Sequence, residues 1–162
     1  MKAVVQRVSE GGVYINSINF HSEISKGIVI LLGIRNGDSI EDVKYVADKC
    51  CNLRIFSKKD LQHQTNGLFD DEEDKMNLSV KDINGEALII SQFTLYGETS
   101  RGNRPSYSNA AKPEIANELY EKFILRIKEN IGENNVRSGV FKTMMSVKII
   151  NDGPVTLIVD SK

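Results

Sequence analysis

The chain has 162 residues, 21 of them basic and 22 acidic, which gives a formal net charge of −1. Domains of roughly 100–150 residues are the commonest, so we expect a single domain over residues 1–162. This charge balance excludes the strong global field with which proteins hold long stretches of nucleic acid, so any RNA contact must be local and transient.

The amino terminus and the cysteines predict where the protein works. The first residues carry too short an apolar run for a signal peptide, and no stretch approaches the roughly 18 apolar residues that span a bilayer. Cys50 and Cys51 are neighbours in a predicted helix, which suits neither a disulfide nor a two-ligand metal site. We expect a cytoplasmic protein with no membrane contact, in a reducing compartment, with Cys50 facing the core.

The first elements in chain order are predicted strands. Residues 2–8 and 13–18 have strand patterns, and Gly11 and Gly12 between them are typical of a hairpin turn. Residues 28–34 form a continuous apolar run, which predicts a central strand buried on both faces.

Two helices follow from capping signals and apolar spacing. Ser39 begins the first, because Asp42 lies three residues later in a variant of the capping box. Pro113 suits the first turn of the second helix, which Gly132 ends. The second helix is predicted to bury a core stripe formed by Ile115, Leu119, Phe123 and Ile127.

The remaining segments predict an exposed excursion and further strands. Residues 57–74 are polar and acidic without a sustained period, and residues 70–74 lack the spacing and glycine of a calcium loop. Residues 87–95 predict a strand with polar groups at its far end. Three more strands are predicted at residues 136–141, 145–150 and 155–159, with a break at residues 151–154. Strand pairs separated by two helices indicate the α+β class.

Several common chemistries lack their motifs. Neither His21 nor His63 has the spacing of a zinc site, and no GxSxG elbow, GxxxxGK[ST] loop or GxGxxG loop occurs. We therefore expect no metal and no cofactor. Catalysis would depend on backbone donors, shape and groups carried by the substrate.

Two motifs carry a resemblance to a known family: SQFTL at residues 91–95 and NDGPVT at residues 151–156. They resemble the signature motifs of the D-aminoacyl-tRNA deacylases, the second of which contains a Gly-cisPro peptide. Similar segments follow in the family's order over nearly the whole chain, namely KAVVQRV, KGIVILLGI, LRIF, KMNLSV and RGNRPSYSNAAKP. Without the resemblance we would predict an ordinary turn at Gly153 and Pro154, since only about 5–6% of X-Pro bonds in folded proteins are cis.

The resemblance implies a three-layer α+β arrangement of β-sheets with two helices. It implies chiral proofreading, in which the enzyme binds the 3′ acceptor end of D-aminoacyl-tRNA and hydrolyses its ester bond. Glycyl-tRNA mischarged on tRNA(Ala) is a further expected substrate, because glycine has no side chain to exclude. The family also implies a homodimer, in which Gly153 and Pro154 of each subunit enter the partner's pocket and fix the amino group of the substrate.

The same resemblance implies the site residues. The ester lies at the end of the SQFTL strand, which implies catalytic positions at Ser91, Gln92, Phe93 and Thr94. The backbone N–H groups of Gln92 and Phe93 would polarise the ester carbonyl. Thr94 has no evident adjacent base, so we favour attack by water with help from the ribose 2′-OH, and keep a nucleophilic Thr94 as the alternative.

Other positions are assigned to substrate and RNA. Met145 falls where the family has its methionine, and Arg7 is expected to brace the Gly-Pro segment, because a charged group on an inner strand needs a partner. A less strongly supported RNA-binding set lies in a segment of Ser, Gly and Asn that can bind phosphates, and a purely solubilising role is an equal alternative. This set comprises Arg101, Arg104 and Lys112.

The sequence departs from the family in two places. Lys142 and Thr143 stand where the family often has a pair of small residues, so the resemblance does not decide the local contacts with the terminal adenosine there. Residues 57–74 are longer than the usual connection. Two other functions stay open: a catalytically impaired RNA-binding module of the same fold, and a threonine hydrolase that acts on a non-RNA ester.

Overall fold

The computed structural model describes residues 1–61 and 75–161. The predictions for His63 and for the acidic run at residues 70–74 concern positions outside these ranges. Of the predicted excursion, Lys58–Leu61 forms a short 3₁₀ helix, in which Asp60 accepts a hydrogen bond from the Ser57 N–H at 2.7 Å.

The described residues form one mixed sheet around a long first strand. The strands are β1 (Lys2–Ile15), β2 (Phe20–Ile24), β3 (Gly27–Gly33), β4 (Glu86–Ser91), β5 (Val136–Ser138) and β6 (Ser146–Asp160). Their order is β2-β1-β3-β4-β5, and β6 also pairs with β1. β1 is antiparallel to β2, β3 and β6, whereas the β3–β4 and β4–β5 pairs are parallel. The central position predicted for the run at residues 28–34 is confirmed.

β1 runs straight through Gly11 and Gly12, so the hairpin predicted there is wrong. A side chain at Gly11 would lie 2.8 Å from Val29 Cγ2 and 3.1 Å from Ile24 Cγ1. This glycine therefore allows close packing on the sheet and makes no turn. The chain reverses at the 3₁₀ turn Asn16–Ile18 instead, and the turn leads into β2, which the sequence did not predict.

β6 is one strand with a bulge, where two strands and a break were predicted. Val8 pairs with Asn151 and Gln6 pairs with Thr156, so residues 152–155 stand out from the sheet opposite Arg7. The strand predicted at residues 87–95 is shorter as well, because β4 ends at Ser91 and Phe93–Tyr96 forms a 3₁₀ helix.

Two α-helices occur in the described part of the chain, as the sequence predicts. α1 (Ile40–Asn52) begins with the predicted capping box, in which the Ser39 N–H donates to Asp42 at 2.8 Å. α2 (Pro113–Ile131) has Pro113 in its first turn and ends at Gly132, whose φ is 93°. Ile115 is 52% exposed, so its place in the predicted core stripe is wrong. It lies in the first turn, and the buried stripe starts one turn later, with Leu119 and Tyr120.

The sheet separates two apolar clusters and so gives the molecule its layers. On one face, α1 and α2 pack against Ile28, Ile30 and Ile89. On the other face the sheet curls over itself, and Val29 and Leu88 pack with side chains from β1, β2 and β6. Helices, sheet and curled sheet form successive layers, which confirms the predicted α+β class.

The cysteines lie in the helical layer. Cys50 and Cys51 are both buried, which confirms that Cys50 faces the core. Burial raises the pKa of the Cys51 thiol to about 12 and also raises that of Cys50, so both act as small apolar side chains. Within residues 1–61 and 75–161, no helix is long and apolar enough to span a membrane.

Candidate functional site

A cavity of about 810 Å³ opens where β4 ends. Its walls come from the ends of β3 and β4, the 3₁₀ helix Phe93–Tyr96, the segment before α2, the first turn of α2 and the segment that precedes β6. Ser91, Gln92 and Thr94 supply polar groups to the lining, and Ile90, Ala116 and Phe141 supply apolar surface.

Six of the residues singled out from the sequence line this cavity. They are Ser91, Gln92, Phe93, Thr94, Lys112 and Met145. Arg7, Gly153 and Pro154 lie outside the cavity of their own chain, as do Arg101 and Arg104. The structure therefore brings residues 91–94 and Met145 together, and leaves the Gly-Pro segment elsewhere on the surface.

The main-chain donors of this segment differ from those expected. The Gln92 N–H donates to the Leu32 carbonyl at 2.8 Å, which continues the strand pairing and removes this group as a free donor. Within the described residues, the N–H groups of Phe93 and Thr94 have no main-chain acceptor. The first N–H groups of a helix have no partner inside it, and these two begin the 3₁₀ helix. The pair of free donors at the cavity wall is thus Phe93 and Thr94, one residue further along than predicted.

Thr94 is held by its neighbour Gln92. The Gln92 side-chain amide donates a hydrogen bond to Thr94 Oγ1. An amide cannot take up a proton, so this contact orients the hydroxyl without activating it. Among the described residues that line the cavity there is no carboxylate and no imidazole.

The Gly-Pro segment forms the tip of the β6 bulge. The Gly153–Pro154 peptide bond is cis, and both residues are exposed. Arg7, 13% exposed, holds the base of the bulge: its Nε lies 3.2 Å from Asp152 Oδ2, and its Nη1 donates to the Ile55 carbonyl at 2.6 Å. Asn151 closes the bulge by donating to the Arg7 carbonyl at 2.8 Å and, across the bulge, to the Val155 carbonyl at 3.1 Å. The exposed tip is therefore fixed to the sheet at both ends.

Comparisons with known proteins identify the family of the chain. The family model described as D-Tyr-tRNA(Tyr) deacylase matches residues 4–160. The chain belongs to this family. A D-aminoacyl-tRNA deacylase of Fervidobacterium nodosum is 51% identical over 100% of this chain and 98% of its own length. One of Flavobacterium psychrophilum is 47% identical over the same shares of the two chains. The chain is accordingly a hydrolase of the D-aminoacyl-tRNA deacylase kind.

Solved structures support the same fold. The c-Myc DNA unwinding element binding protein is 33% identical and superposes with a TM-score of 0.85, covering 100% of this chain and 99% of that one. A probable eukaryotic D-amino acid tRNA deacylase superposes with a TM-score of 0.76 over 98% of both chains. At 14% identity this second likeness concerns the fold alone.

Some residues that line the cavity were not assigned as site residues from the sequence. Lys142 and Thr143, noted only as departures from the family, both line the cavity. Tyr107 packs edge-on against the exposed Phe93 ring, with 5.0 Å between ring centroids, and also lines it. Tyr107 lies in the RPSYSN segment, and an aromatic residue in a polar loop was the signal that could have found it.

The expected RNA-binding set divides into two places. Arg101 and Arg104 are exposed in a loop that Glu98 and Ser106 close with paired main-chain hydrogen bonds of 2.8 and 3.0 Å. Lys112 immediately precedes α2 and lines the cavity. Lys112 is therefore close to the site, whereas the two arginines stand on a separate loop.

Proposed function

We propose that the cavity holds the esterified 3′ end of a D-aminoacyl-tRNA, and that the N–H groups of Phe93 and Thr94 stabilise the oxyanion formed during hydrolysis. The observation that carries this proposal is the pair of unbonded main-chain donors at the wall of an 810 Å³ cavity. Donors fixed before the reaction stabilise developing charge without reorganisation.

In the proposed reaction, water adds to the ester carbonyl carbon and the bond to the ribose oxygen breaks. The carbonyl oxygen carries the negative charge towards Phe93 and Thr94. The leaving ribose oxygen takes up a proton, which gives free D-amino acid and tRNA. The ribose 2′-OH supplies the proton-carrying group next to the ester, since no carboxylate or imidazole among the described residues lines the cavity.

We further propose that two copies of the chain complete each other's sites. In the described residues β6 pairs only with β1, so its outer edge is free. The exposed apolar side chains of this strand are Ile150, Leu157 and Ile158, of which Ile158 is 65% exposed. Soluble proteins cover long apolar edge strands. If a second copy packs against this strand, its cavity can receive the Gly-Pro tip of the first copy. That tip lies outside the cavity of the first copy.

Chiral selection follows if the main-chain carbonyls of Gly153 and Pro154 accept hydrogen bonds from the substrate's ammonium group. The bulge is fixed by Arg7 and Asn151, so these carbonyls present a rigid wall. A wall that fixes the ammonium group leaves room for a side chain on one side of the α-carbon only. Glycine has no side chain to exclude, and glycyl-tRNA is therefore a second substrate of the same proposal.

The test is deacylation of D-tyrosyl-tRNA, L-tyrosyl-tRNA and glycyl-tRNA by catalytic amounts of the purified protein, with a chelator present. We expect loss of the D-tyrosyl and glycyl esters and persistence of the L-tyrosyl ester. Equal loss of both tyrosyl esters would contradict the chiral wall. Persistence of all three would favour the RNA-binding module, which binding of uncharged tRNA would then measure.

A further inference from the structure

Lys142 has a backbone conformation that disfavours its own side chain. Its φ is 58°, in the left-handed region where glycine is favoured over residues with a β-carbon. Its neighbours hold this turn: the Phe141 ring packs against Tyr120 with 5.8 Å between centroids, and Thr143 Oγ1 donates to the Phe141 carbonyl at 3.3 Å. These two contacts help to hold the turn, and neither of them involves the Lys142 side chain.

The same lysine lines the cavity together with Lys112. They reach it from different elements, since Lys112 precedes α2 and Lys142 lies between β5 and β6. No acidic residue is found among the described lining residues, and no described carboxylate pairs with either lysine. Elsewhere Lys148 is paired with Glu10 at 2.7 Å. Two lysines thus line the cavity without a counter-ion among the described residues.

We propose that Lys142 and Lys112 form a phosphate subsite, which binds the phosphodiester on the 5′ side of the terminal nucleotide of the substrate. The proposal rests on the proposed function, because the ester at Phe93 and Thr94 brings that nucleotide into the cavity. The phosphodiester is the anionic group nearest to the ester, and ammonium groups bind phosphate oxygens as point charges. The lysines also repel the substrate's own ammonium group and so help to set the direction in which the substrate lies.

The experiment compares two D-tyrosyl esters, one on tRNA and one on adenosine without a phosphate. The variants are Lys142→Gln, which removes the charge, Lys142→Gly, which also suits the backbone, and Lys142→Arg, which keeps the charge. The ratio of kcat/KM for the tRNA ester to that for the adenosine ester should fall about tenfold in the first two and recover in the third. Lys122→Gln on α2, outside the cavity, should leave the ratio unchanged.

Salt dependence gives a second measurement, which a purely structural role would not change. For single-stranded RNA, the slope of log affinity against log salt should become shallower by about 0.7 for each phosphate that the protein no longer binds. Anisotropy titrations of a short RNA ending in the tRNA 3′ sequence should show this change in Lys142→Gln. They require no hydrolysis, so they test the subsite even if the proposed function fails.

The outcomes separate the two proposals. If the unmodified protein hydrolyses neither ester, the proposed function fails, and the salt slope alone decides on the subsite. If hydrolysis is normal while neither the kcat/KM ratio nor the slope changes in Lys142→Gln, the phosphate subsite is wrong. If Lys142→Arg behaves like Lys142→Gln, the charge has no role and the proposal is likewise overturned. A higher Tm of Lys142→Gly with a lower ratio would support it, since the lysine would then cost stability that substrate binding requires.

Discussion

Gly153 occupies a position where any β-carbon meets both a backbone and a steric penalty. Its φ is 113°, and a methyl group there would lie 2.8 Å from Arg7 Nη2. That guanidinium group is not free to move, because it is bonded to Asp152 and to the Ile55 carbonyl. A substitution at Gly153 therefore displaces the arginine that fixes the bulge.

We predict that Gly153→Ala lowers the free energy of unfolding by more than about 1 kcal/mol, because alanine at positive φ is destabilising. We also predict a lower kcat/KM on D-tyrosyl-tRNA, because the carbonyl wall moves with Arg7. Urea unfolding and deacylation rates measure the two effects. Gly132→Ala is the matched control: its φ is 93°, its nearest neighbour is Asn135 Nδ2 at 3.8 Å, and it should lose stability without losing rate. Normal turnover by Gly153→Ala would contradict the proposal that the main-chain carbonyls of the bulge hold the substrate's ammonium group.

Thr94 tests whether a side chain or water attacks the ester. Its hydroxyl accepts from the Gln92 amide and has no base beside it among the described residues. We predict that Thr94→Ala keeps kcat within about tenfold of the original protein, whereas loss of a true nucleophile costs roughly 10⁴-fold or more. Single-turnover deacylation measures this rate. A drop of the larger size would instead identify Thr94 as the nucleophile.

At the scale of elements, the sequence predicted the features that depend on interactions between residues close together in the chain. The capping box of Ser39 and Asp42 and the proline in the first turn of α2 both act within one helical turn. β3 was predictable because its side chains are apolar on both faces. Gly11 was misassigned because its role depends on Val29 and Ile24, residues of other strands that meet it only in the folded sheet.

In the candidate site too, the sequence predicted the features carried by nearby residues and missed those that depend on pairing between strands. Residues 91–94 and Met145 were assigned from the family resemblance, and they line one cavity. The free donors were misplaced by one residue, because the Gln92 N–H is taken by Leu32 and the register between β3 and β4 cannot be read from either strand alone. The position of the Gly-Pro tip outside its own cavity also depends on the paired sheet, through the bulge opposite Arg7.

The two α-helices are joined by an ion pair that predicts a pH dependence. Arg126 Nε and Nη2 donate to Asp48 Oδ1 and Oδ2 at 2.7 and 2.8 Å, and Asn130 donates to Oδ1 at 2.8 Å. These bonds, that of Arg126 first, hold the pKa of Asp48 below its usual value. The stability that they contribute is therefore present above the unfolded pKa of about 3.9, and is lost as the pH falls through the lower folded value.

We predict that Asp48→Asn lowers the free energy of unfolding by about 0.5–1 kcal/mol at pH 7, a small value because exposed pairs are screened. The side chains of Arg126 and Asp48 are 36% and 37% exposed. Urea unfolding between pH 7 and pH 2.5 should show the difference vanish in acid. Glu118→Gln, which breaks a pair within α2, should have a smaller effect at pH 7. A difference that persists at pH 2.5 would show that the charge of Asp48 is not its cause.

At the scale of the whole molecule, the apolar strand β6 predicts association. Ile158→Lys places a charge on the free edge strand, and we expect it to convert a dimer into a monomer, because burying an unpaired ammonium group is costly. Sedimentation velocity measures the change. Leu125→Lys on α2 is the control, since Leu125 is similarly exposed at 57% but lies away from β6. A monomeric unmodified protein at micromolar concentration would contradict the dimer.

Sites completed by a partner predict complementation between two defective chains. In Thr94→Trp, an indole at the exposed Thr94 position fills the mouth of the cavity and leaves the bulge intact. In Gly153→Ala, the cavity is intact and the bulge is displaced. Each variant alone should deacylate D-tyrosyl-tRNA poorly, because every site in its dimer contains the defect.

Co-expressed chains with different affinity tags should recover activity. In a mixed dimer, the cavity of the Gly153→Ala chain receives the intact bulge of the Thr94→Trp chain, so one of its two sites works. Random pairing makes half of the dimers mixed, so the preparation should reach about a quarter of the original rate under two-fold symmetry. Adding Ile158→Lys to both chains should abolish the recovery, because the edge strands no longer pair. If purified mixed dimers are no more active than either variant, each site uses its own Gly-Pro segment, and the exposed bulge must then fold back towards its own cavity.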